Sequence, residues 1–482
     1  MKFNELVEPW FATDYEQKIT GLSIDSRLTQ SGDLFLCLQG HAVHGQSFID
    51  SALAAGAVCA LIHTDIPDQH GLARQAQKNV IYFYNLHGHL ADLVSIFYKT
   101  QELPIKMVGV TGTNGKTSVA HFIAQIGDLI DCKTAVLGTV GNGFLNNLED
   151  SVNTTADAIF LAKQIESLSK QDARCCAIEV SSHGLVQQRV NALRFDLSIL
   201  TNITRDHIDY HLTMNNYVSA KKRLFNSKLT KVALFNLDDA YGADFFNEFE
   251  LPKYSYSIQR RDADYFLTDI VRTDYIFAAQ LVTPVGSFPV RIKTLARFNL
   301  SNILAAVAAQ HILGASLTDI VPRLSLLKPV CGRTNFINKP NKPCFVVDYA
   351  HTPDSLLQVL RSLREHAKGK LWCVFGCGGD RDFGKRPLMA KIAEENADHL
   401  LITSDNPRSE SLSLIFSHMR AGLSDPAAVI FEADRKQAIK KAMALAGVDD
   451  LVLVAGKGHE SYQEIKGAKI NHNDYQFIMN TL

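Results

Sequence analysis

The loop TGTNGKTS at residues 111–118 constrains this chain more than any other feature, because it separates an apolar run from a helical pattern. The run IKMVGV (105–110) predicts a buried strand, and a helix is expected to begin near Thr117. The standard phosphate-binding pattern has glycine where this chain has Val110. A strand, a glycine loop and a helix in this order are typical of a phosphate-binding turn in an α/β sheet.

The residue types in this loop suit a phosphate group. Gly112 and Gly115 allow tight turns that point backbone N–H groups at phosphate oxygens, and Gly109 helps to offset the missing glycine. Lys116 supplies a positive charge for the β- and γ-phosphates, and Thr117 offers a hydroxyl to Mg²⁺. The loop predicts a site for ATP or GTP, and a glycine-rich turn without a ligand is the alternative.

Short apolar runs alternate with helical patterns along the rest of the chain. This alternation predicts parallel sheets with right-handed crossovers, and therefore an α/β fold. Asp354 is expected to cap the helix that follows the fifth run below. The further strand candidates are TAVLGTV (134–140), CCAIEV (175–180), LSILTNI (197–203), VALFNL (232–237), CFVVDYAHTP (344–353), LWCVFGCGGDRD (371–382), HLLITSDNPR (399–408) and LVLVAGKGHE (451–460).

A chain of 482 residues is too long for a single core and suggests about three domains. The polar, proline-bearing segments TQELPIK (100–106) and INKPNKP (337–343) are typical of domain boundaries. We therefore expect a small N-terminal α/β domain at 1–102, a central parallel-sheet P-loop-type ATPase domain at 103–336, and a Rossmann-like α/β domain at 337–482.

Several strand candidates end in side chains that carry chemistry. In the last segment these are His351, Arg381, Arg408 and Glu460, and in the middle segment Glu179 ends the CCAIEV run. Ligands bind beyond the carboxyl ends of strands in open α/β sheets. The four residues of the last segment therefore predict a site, and Glu179 is a candidate for a carboxylate directed at a metal ion.

Two other polar segments admit alternatives. TRDHIDYH (204–211) places His207 and His211 four residues apart, which on a helix could form a zinc pair. No third ligand is obvious, so a hydrogen-bonded loop is the alternative. The run AKKRLF (220–225) is normally a solvated basic face.

Composition excludes several classes of partner and location. The 49 basic and 50 acidic residues give a net charge of -1, so no basic face for nucleic acid is implied. The nine cysteines form no Cys-x-x-Cys pair, which favours a reducing compartment. The start MKFNELVEPW lacks the apolar segment of a signal peptide, and the longest apolar run (52–62) is far short of a membrane span. We expect a cytoplasmic protein without a membrane partner.

Seven motifs, spread in order over all three expected domains, resemble those of the Mur ligases, the ATP-dependent amide-forming enzymes of peptidoglycan precursor synthesis. The resemblance implies a uridine-nucleotide domain, an ATP domain and an amino-acid domain, with small-molecule substrates and a monomeric chain. The motifs are GVTGTNGKTS (109–118), NTT (153–155), EVSSHGLVQQR (179–189), TNITRDHIDYH (201–211), FNLSNILAA (298–306), CGR (331–333) and DYAHTP (348–353).

The resemblance also implies roles for individual residues. Those for ATP are Gly112, Thr113, Asn114, Gly115, Lys116, Thr117, Ser118, Asn302 and Arg333. Those for UDP-MurNAc-L-Ala-D-Glu are Ile24, Ser26, His41, Ala42, Val43, Asn153, Thr154, Thr155, Ser181, Gln187 and Arg189. Mg²⁺ is expected near Thr117, Glu179 and His207, with Lys221 matching the lysine that the family carbamylates to serve a second metal. The implied catalytic residues are Lys116, Glu179, His207 and Lys221.

Within the family, the chain resembles the members that add the third residue of the stem peptide. The guanidinium of Arg408 in SDNPR (404–408) can bind a carboxylate bidentately. The side chain of meso-diaminopimelate ends in such a carboxylate as well as an amine, whereas that of lysine ends in an amine alone. DNPR resembles the diaminopimelate-selecting form of the motif. The implied contacts are Arg381, Asp405, Asn406, Pro407, Arg408, Gly456 and Glu460.

The implied reaction proceeds through an acyl phosphate. The D-glutamyl carboxylate attacks the γ-phosphate of ATP, and the incoming amine then displaces phosphate, while Lys116 and Mg²⁺ neutralise charge on the phosphoryl group. The enzymatic alternatives are a lysine-adding ligase of the same family and a ligase like folylpolyglutamate synthetase, which typically lacks the N-terminal domain. A nucleotide-switch protein and an inactive paralogue are the alternatives from other classes.

Overall fold

The computed structural model describes residues 1–38, 45–75 and 77–482. Within these residues the chain forms two compact units. The first unit comprises Met1–Ile105, Thr155–Arg174 and His183–Arg194, and the second comprises Lys106–Thr154, Cys175–Ser182 and Phe195–Leu482. None of the described helices is long and apolar enough to cross a membrane.

The first unit is built on a five-stranded sheet in the order β1-β2-β3-β5-β4. The pairs β1–β2, β2–β3 and β3–β5 are parallel, and the short β4 is antiparallel to β5. All five residues of β2 are buried, which makes it an interior strand. The elements are α1 (Phe3–Val7), β1 (Gly21–Ser23), β2 (Asp33–Cys37), α2 (Ile49–Ala54), β3 (Cys59–Thr64), β4 (Ala73–Arg74), β5 (Gln77–Tyr84) and α3 (Leu86–Tyr98).

The next part of the chain contains the strands of the central sheet and the helices that connect them in sequence. Helix α5 and most of α6 belong to the first unit. The elements are β6 (Lys106–Thr111), α4 (Lys116–Leu129), β7 (Thr134–Leu137), β8 (Asn142–Phe144), β9 (Asn147–Glu149), α5 (Ala158–Lys170), β10 (Cys175–Glu179), α6 (Ser182–Val186), β11 (Phe195–Leu200), α7 (Ile208–His211), α8 (Met214–Lys222), β12 (Thr230–Asn236), α9 (Ala240–Glu248), β13 (Lys253–Ser257), β14 (Tyr265–Thr273), β15 (Ile276–Thr283), β16 (Gly286–Lys293), α10 (Phe298–Ile312) and α11 (Leu317–Ile320).

The central sheet has eleven strands in the order β16-β15-β14-β13-β12-β11-β6-β10-β7-β8-β9. The strands from β14 to β7 in this order are all parallel, so their carboxyl ends lie along one edge. Antiparallel strands extend the sheet at both ends. Helices α4 and α10 pack against the sheet with buried residues such as Ile123 and Val307. The glycine loop between β6 and α4 therefore lies at the carboxyl edge of a rigid sheet.

The last sheet has six strands in the order β17-β18-β22-β19-β20-β21, and every pair except β17–β18 is parallel. A separate two-stranded hairpin, β23–β24, follows it. The elements are β17 (Asn335–Ile337), β18 (Cys344–Asp348), α12 (Pro353–Arg364), β19 (Leu371–Phe375), α13 (Lys385–Asn396), β20 (His399–Thr403), α14 (Leu412–Arg420), β21 (Ile430–Glu432), α15 (Arg435–Leu445), β22 (Leu451–Ala455), β23 (Tyr462–Ile465), β24 (Ala468–Asn471) and α16 (Asp474–Thr481).

The predicted α/β fold class is confirmed, and each strand candidate of the sequence overlaps an observed strand. One local prediction was wrong. Thr352, not Asp354, caps α12, because the Thr352 side chain accepts from the backbone N of Ser355. Asp354 instead accepts from Nδ2 of Asn114 in the glycine loop at 3.0 Å. The domain boundaries near residues 102 and 336 remain predictions.

Candidate active site

A cleft of ≈ 590 Å³ in the second unit collects side chains from both of its large sheets. Its lining includes Lys116, Glu179, Asp206, Arg333 and His351. Lys116 begins α4 and Glu179 ends β10, while Asp206 and His351 follow β11 and β18. These positions lie at the carboxyl ends of parallel strands, where open α/β sheets bind ligands. The cleft is therefore the candidate active site.

The glycine loop has the backbone shape expected from its sequence. Gly112 and Gly115 have φ angles of +148° and +88°, and a Cβ on Gly112 would lie 1.9 Å from Oγ1 of Thr201. Only glycine fits at position 112, because any side chain would collide with the end of β11. The Nζ of Lys116 donates to the carbonyl oxygens of Gly112 and Thr113, both at 2.9 Å. The side chain of Lys116 thus folds back onto the loop, and burial lowers the pKa of its amine.

Thr117 and Glu179 form an oxygen-rich group beside the loop. The Thr117 hydroxyl donates to Oε2 of Glu179 at 2.8 Å, and the backbone N of Thr139 donates to Oε1 at 2.8 Å. Glu179 is only 1% exposed. Mg²⁺ prefers hydroxyl, carboxylate and water oxygens, so this donor set fits that ion. The described residues contain no group of three or more His, Cys, Asp and Glu residues arranged to hold a metal.

Asp206 is a buried carboxylate that the sequence did not single out. Its Oδ1 lies 3.3 Å from Nζ of Lys385, and its Oδ2 lies 3.3 Å from Nε2 of His207 and 3.9 Å from Nε2 of His351. Burial alone would raise the pKa of Asp206, but Lys385, His207 and His351 hold it well below its usual value. Asp206 is therefore a permanent negative charge in the cleft, and it pairs with a lysine 179 residues away in the chain.

The two histidines of TRDHIDYH have different partners. His207 precedes α7 with a φ of +54° and faces Asp206, whereas Nε2 of His211 hydrogen-bonds to Oγ of Ser182 at 2.9 Å. The two imidazoles therefore do not face a common point where a zinc ion could bind. The segment is therefore the hydrogen-bonded loop that was the alternative to a zinc pair.

Lys221, in the basic run of α8, does not belong to a solvated face. It is 1% exposed, and its Nζ donates to the carbonyl oxygen of Gly112 at 2.7 Å. Burial lowers the pKa of Lys221 well below its usual value, and the nearby charge of Lys116 lowers it further. The amine thus has a raised fraction of its uncharged, nucleophilic form.

Asn302 and Arg333, predicted to contact the adenine and ribose, both line the cleft. Asn302 donates from Nδ2 to Oδ1 of Asn299 at 3.1 Å. The Arg333 guanidinium lies 4.3 Å from the centre of the Tyr349 ring, and its Nη2 donates to Oγ1 of Thr117 at 3.0 Å. Arg333 therefore joins the glycine loop to the start of the last sheet.

A second polar group lies where β20 and β22 end. Nδ2 of Asn406 donates to Oε2 of Glu460 at 2.9 Å. The Nζ of Lys457, which is fully buried, donates to both Oδ1 of Asn406 and Oε2 of Glu460, at 3.0 and 2.7 Å. Lys457 was not among the predicted site residues. Its charge holds the asparagine and the glutamate together, although they are 54 residues apart.

Arg381 and Arg408 are the two arginines predicted to contact the amino acid, and the side chains of both lie close to Gly378. A Cβ on Gly378 would lie 3.0 Å from Nη1 of Arg408 and 3.9 Å from Cγ of Arg381. Arg408 is half-buried, whereas Arg381 is exposed. The fold thus brings both guanidinium-bearing residues to the end of β19 and β20. The remaining predicted contacts of this group, at the ends of β20 and β22, are Asp405, Pro407 and Gly456.

The residues predicted for the muramoyl dipeptide are divided between the two units. Within the first unit, Arg189 donates from Nε and Nη2 to Oε1 of Gln187 at 3.0 and 2.7 Å, and from Nη1 to the carbonyl oxygen of Thr155. Positions 41–43 lie outside the described residues. The first unit contains Ile24, Ser26, Thr155, Gln187 and Arg189, and the second contains Asn153, Thr154 and Ser181.

Three protein-family models match successive parts of the chain. The model described as "Mur ligase family, catalytic domain" matches residues 18–98, "Mur ligase middle domain" matches 110–310, and "Mur ligase, glutamate ligase domain" matches 332–458. Together the matches cover most of the chain and include the glycine loop, Asn406 and Lys457.

Comparison with known proteins gives the same result over nearly the whole chain. A UDP-N-acetylmuramoyl-L-alanyl-D-glutamate–2,6-diaminopimelate ligase of Haemophilus influenzae is 39% identical over 470 residues, covering 96% of each chain. A solved structure with the same enzyme name is 35% identical with a TM-score of 0.69, covering 100% of this chain and 98% of that one. A MurF ligase from Thermotoga maritima, solved in complex with ADP, shares the fold at 18% identity and a TM-score of 0.66, covering 91% and 94%. The chain belongs to the Mur ligase family.

Proposed function

We propose that this protein is an ATP-dependent ligase that joins meso-diaminopimelate to UDP-N-acetylmuramoyl-L-alanyl-D-glutamate during peptidoglycan precursor synthesis. The observation that carries the proposal is the full-length similarity to ligases named for this reaction, together with the side chains around Arg408. The proposed substrates are small molecules, and neither nucleic acid nor membrane has a role. We also propose a cytoplasmic, monomeric enzyme with domains at 1–102, 103–336 and 337–482.

The glycine loop binds the phosphates of ATP in this proposal. Gly112 and Gly115 let the loop N–H groups approach the phosphate oxygens, and Lys116 leaves its carbonyl partners to reach the β- and γ-phosphates. Asn302 and Arg333 contact the adenosine part from the same cleft. The other loop residues in contact with the nucleotide are Thr113, Asn114, Thr117 and Ser118.

Thr117, Glu179 and His207 would hold Mg²⁺. The oxygens of Thr117 and Glu179 are adjacent, and oxygen is the donor that this ion prefers. A carbamylated Lys221 would supply a carboxylate to a second ion. When bound, these ions neutralise negative charge on the phosphoryl group during its transfer. The ammonium group of Lys116 contributes in the same direction, since it borders the loop.

Amide formation then requires the two organic substrates to meet at the transferred phosphate. The D-glutamyl carboxylate attacks the γ-phosphate, ADP leaves, and the amine of the incoming amino acid attacks the acyl phosphate and releases phosphate. The muramoyl dipeptide is held by the predicted residues around Thr155 and Arg189, and by positions 41–43. Asp206 is a permanent negative charge beside His207 and His351, and it can stabilise a proton leaving the attacking amine.

Selection of diaminopimelate is assigned to the group at the end of β20 and β22. Arg408 and Arg381 bind carboxylate groups, because a guanidinium can form two parallel hydrogen bonds with a carboxylate. Glu460, already held by Lys457 and Asn406, binds an ammonium group. Lysine lacks the distal carboxylate, so it would leave a guanidinium without a partner.

The proposed function is tested by phosphate release from ATP in the presence of Mg²⁺ and UDP-MurNAc-L-Ala-D-Glu. We expect release with meso-diaminopimelate and none with L-lysine when each is supplied separately. A reaction without the muramoyl dipeptide is the control for uncoupled ATP hydrolysis. Release with lysine alone would contradict the role given to Arg408, and no release with either amino acid would contradict the ligase itself.

Replacement of Lys221 tests the carbamylation proposal. We expect Lys221→Ala to lower kcat by about 10- to 100-fold, the usual cost of losing a group that supports a metal site. Acetate or formate should restore part of the activity, because a small carboxylate can occupy the vacated space. The matched control is Lys222→Ala, which removes a neighbouring lysine paired with Glu248 and should respond to neither acid. Failure of every short acid to rescue Lys221→Ala would rule out the proposed carboxylate.

A further inference from the structure

The backbone of Arg408 has a conformation that is rare for residues other than glycine. Its φ angle is +50°, in the left-handed region. Such a conformation costs free energy, and it persists only where neighbouring contacts hold it. Arg408 lies beyond the end of β20, in the turn predicted to contact the amino-acid substrate.

The hairpin β23–β24 supplies these contacts. The backbone N of Arg408 donates to the carbonyl oxygen of Glu464 at 3.0 Å, and the backbone N of Lys466 donates to the carbonyl oxygen of Arg408 at 2.7 Å. Arg408 thus forms an isolated parallel bridge with Ile465. Both backbone polar groups of the arginine are bonded to the same hairpin, one to β23 and one to the turn that follows it.

Glu464 in this strand also contacts the side chains of the turn. Its backbone N donates to Oδ1 of Asn406 at 2.9 Å, which orients the amide so that Nδ2 faces Glu460. Its carboxylate Oε2 lies 3.3 Å from Nε of Arg408. One residue therefore orients an amide and a guanidinium of the same predicted site.

These contacts leave one edge of the Arg408 guanidinium available. Nε faces Glu464, and Nη1 donates to the carbonyl oxygen of Gly379 at 2.8 Å. Nη2 makes no hydrogen bond with any residue in the part of the chain that the structure describes. A planar guanidinium held at two of its nitrogens has a defined plane, so the remaining edge points in one direction.

We propose that Glu464 is a positioning residue for diaminopimelate recognition: it holds Arg408 so that the free edge of the guanidinium meets the distal carboxylate of the substrate. This inference rests on the proposed function and deepens it. Glu464 acts through Arg408 and Asn406 and does not itself contact the substrate. The pair is partly exposed, with side chains 24% and 30% accessible, and such pairs contribute little to folding stability. Replacement of Glu464 should therefore alter recognition without unfolding the chain.

The test compares steady-state kinetics of Glu464→Ala and Glu464→Gln with the wild-type enzyme. We expect Glu464→Ala to raise the KM for meso-diaminopimelate by about fivefold to tenfold, because the guanidinium loses one of its two anchors. The kcat and the KM for ATP should stay within about twofold of wild type, since the ATP cleft is not involved. Glu464→Gln removes the charge but keeps an oxygen near Nε, so it should recover part of the loss.

The control is Glu395→Ala, which removes an exposed glutamate of α13 that is paired with Lys391 and should leave all three constants unchanged. A KM for diaminopimelate that stays at or below the wild-type value in Glu464→Ala would overturn the inference. So would an equal rise in the KM for ATP, which would indicate general damage. A wild-type enzyme without diaminopimelate-dependent phosphate release would instead contradict the proposed function, so the two failures are distinguishable.

Discussion

Arg408→Ala is expected to lower kcat/KM for meso-diaminopimelate by about 10²- to 10³-fold while leaving the KM for ATP unchanged. The variant removes the guanidinium that pairs with the distal carboxylate, so the carboxylate would lose its water without gaining a charged partner. The turn itself should remain, because its hydrogen bonds to β23 come from the backbone of residue 408. The measurement is phosphate release with varied diaminopimelate at saturating ATP.

Two further variants test whether the loss is specific to the guanidinium group of Arg408. Arg408→Lys keeps the charge but not the planar fork, so we expect an intermediate loss of about tenfold. Arg420→Ala removes an exposed arginine from α14 in the same part of the chain and should have no effect. Unchanged kinetics with diaminopimelate in Arg408→Ala would show that another residue selects the amino acid.

Arg435→Met is expected to destabilise the last α/β region by about 3–5 kcal/mol, the usual cost of breaking a buried ion pair from one side. Arg435 and Asp474 are fully buried, and their closest contact is 2.7 Å. The guanidinium also donates to the carbonyl oxygens of Ser404 and Ala455, at 3.2 and 2.9 Å. It therefore joins the ends of β20 and β22, where the predicted amino-acid site begins.

Arg435→Met is expected to lower the free energy of unfolding at neutral pH because Asp474 is ionised there. Burial alone would raise the pKa of Asp474, but Arg435 and then His472 hold it well below its usual value. A carboxyl whose folded-state pKa is depressed stabilises the fold above its unfolded pKa of about 3.9, and this stability is lost as the pH falls through the folded value. At neutral pH the full loss should therefore be seen.

The unfolding measurement can be made specific to this region. The chain has two tryptophans, and Trp372 lies in β19, so a Trp10→Phe background leaves Trp372 as the sole tryptophan reporter. The matched control is Lys391→Met, which breaks an exposed pair with Glu395 and should change the free energy of unfolding by less than about 0.5 kcal/mol. A loss of that small size in Arg435→Met would show that the buried pair is not needed for stability. The double variant Arg435→Met/Asp474→Leu should lose less than Arg435→Met alone, because no charge stays buried without a partner.

Local patterns in the sequence were sufficient to predict the strands of the parallel sheets and the glycine loop. The run before Val110 is apolar because β6 is an interior strand, and Gly112 and Gly115 adopt positive φ angles that other residues avoid. The antiparallel extensions of the central sheet were not predicted. They are exposed on part of their surface, as in β9 and β16, so their apolar pattern is weak. The cap of α12 was assigned to the wrong residue, because threonine and aspartate at neighbouring positions suit a cap equally well by type.

The sequence by itself determined the α/β class, the glycine loop and the family, because these depend on residues adjacent in the chain or on motifs in a set order. The tertiary structure alone revealed that Asp206 pairs with Lys385, that Lys457 joins Asn406 to Glu460, and that β23 holds Arg408. It also showed that Lys221 is buried, although its neighbours in the chain are basic. Such contacts join residues tens to hundreds of positions apart, and the spacing along a chain carries no record of which distant charges folding brings together.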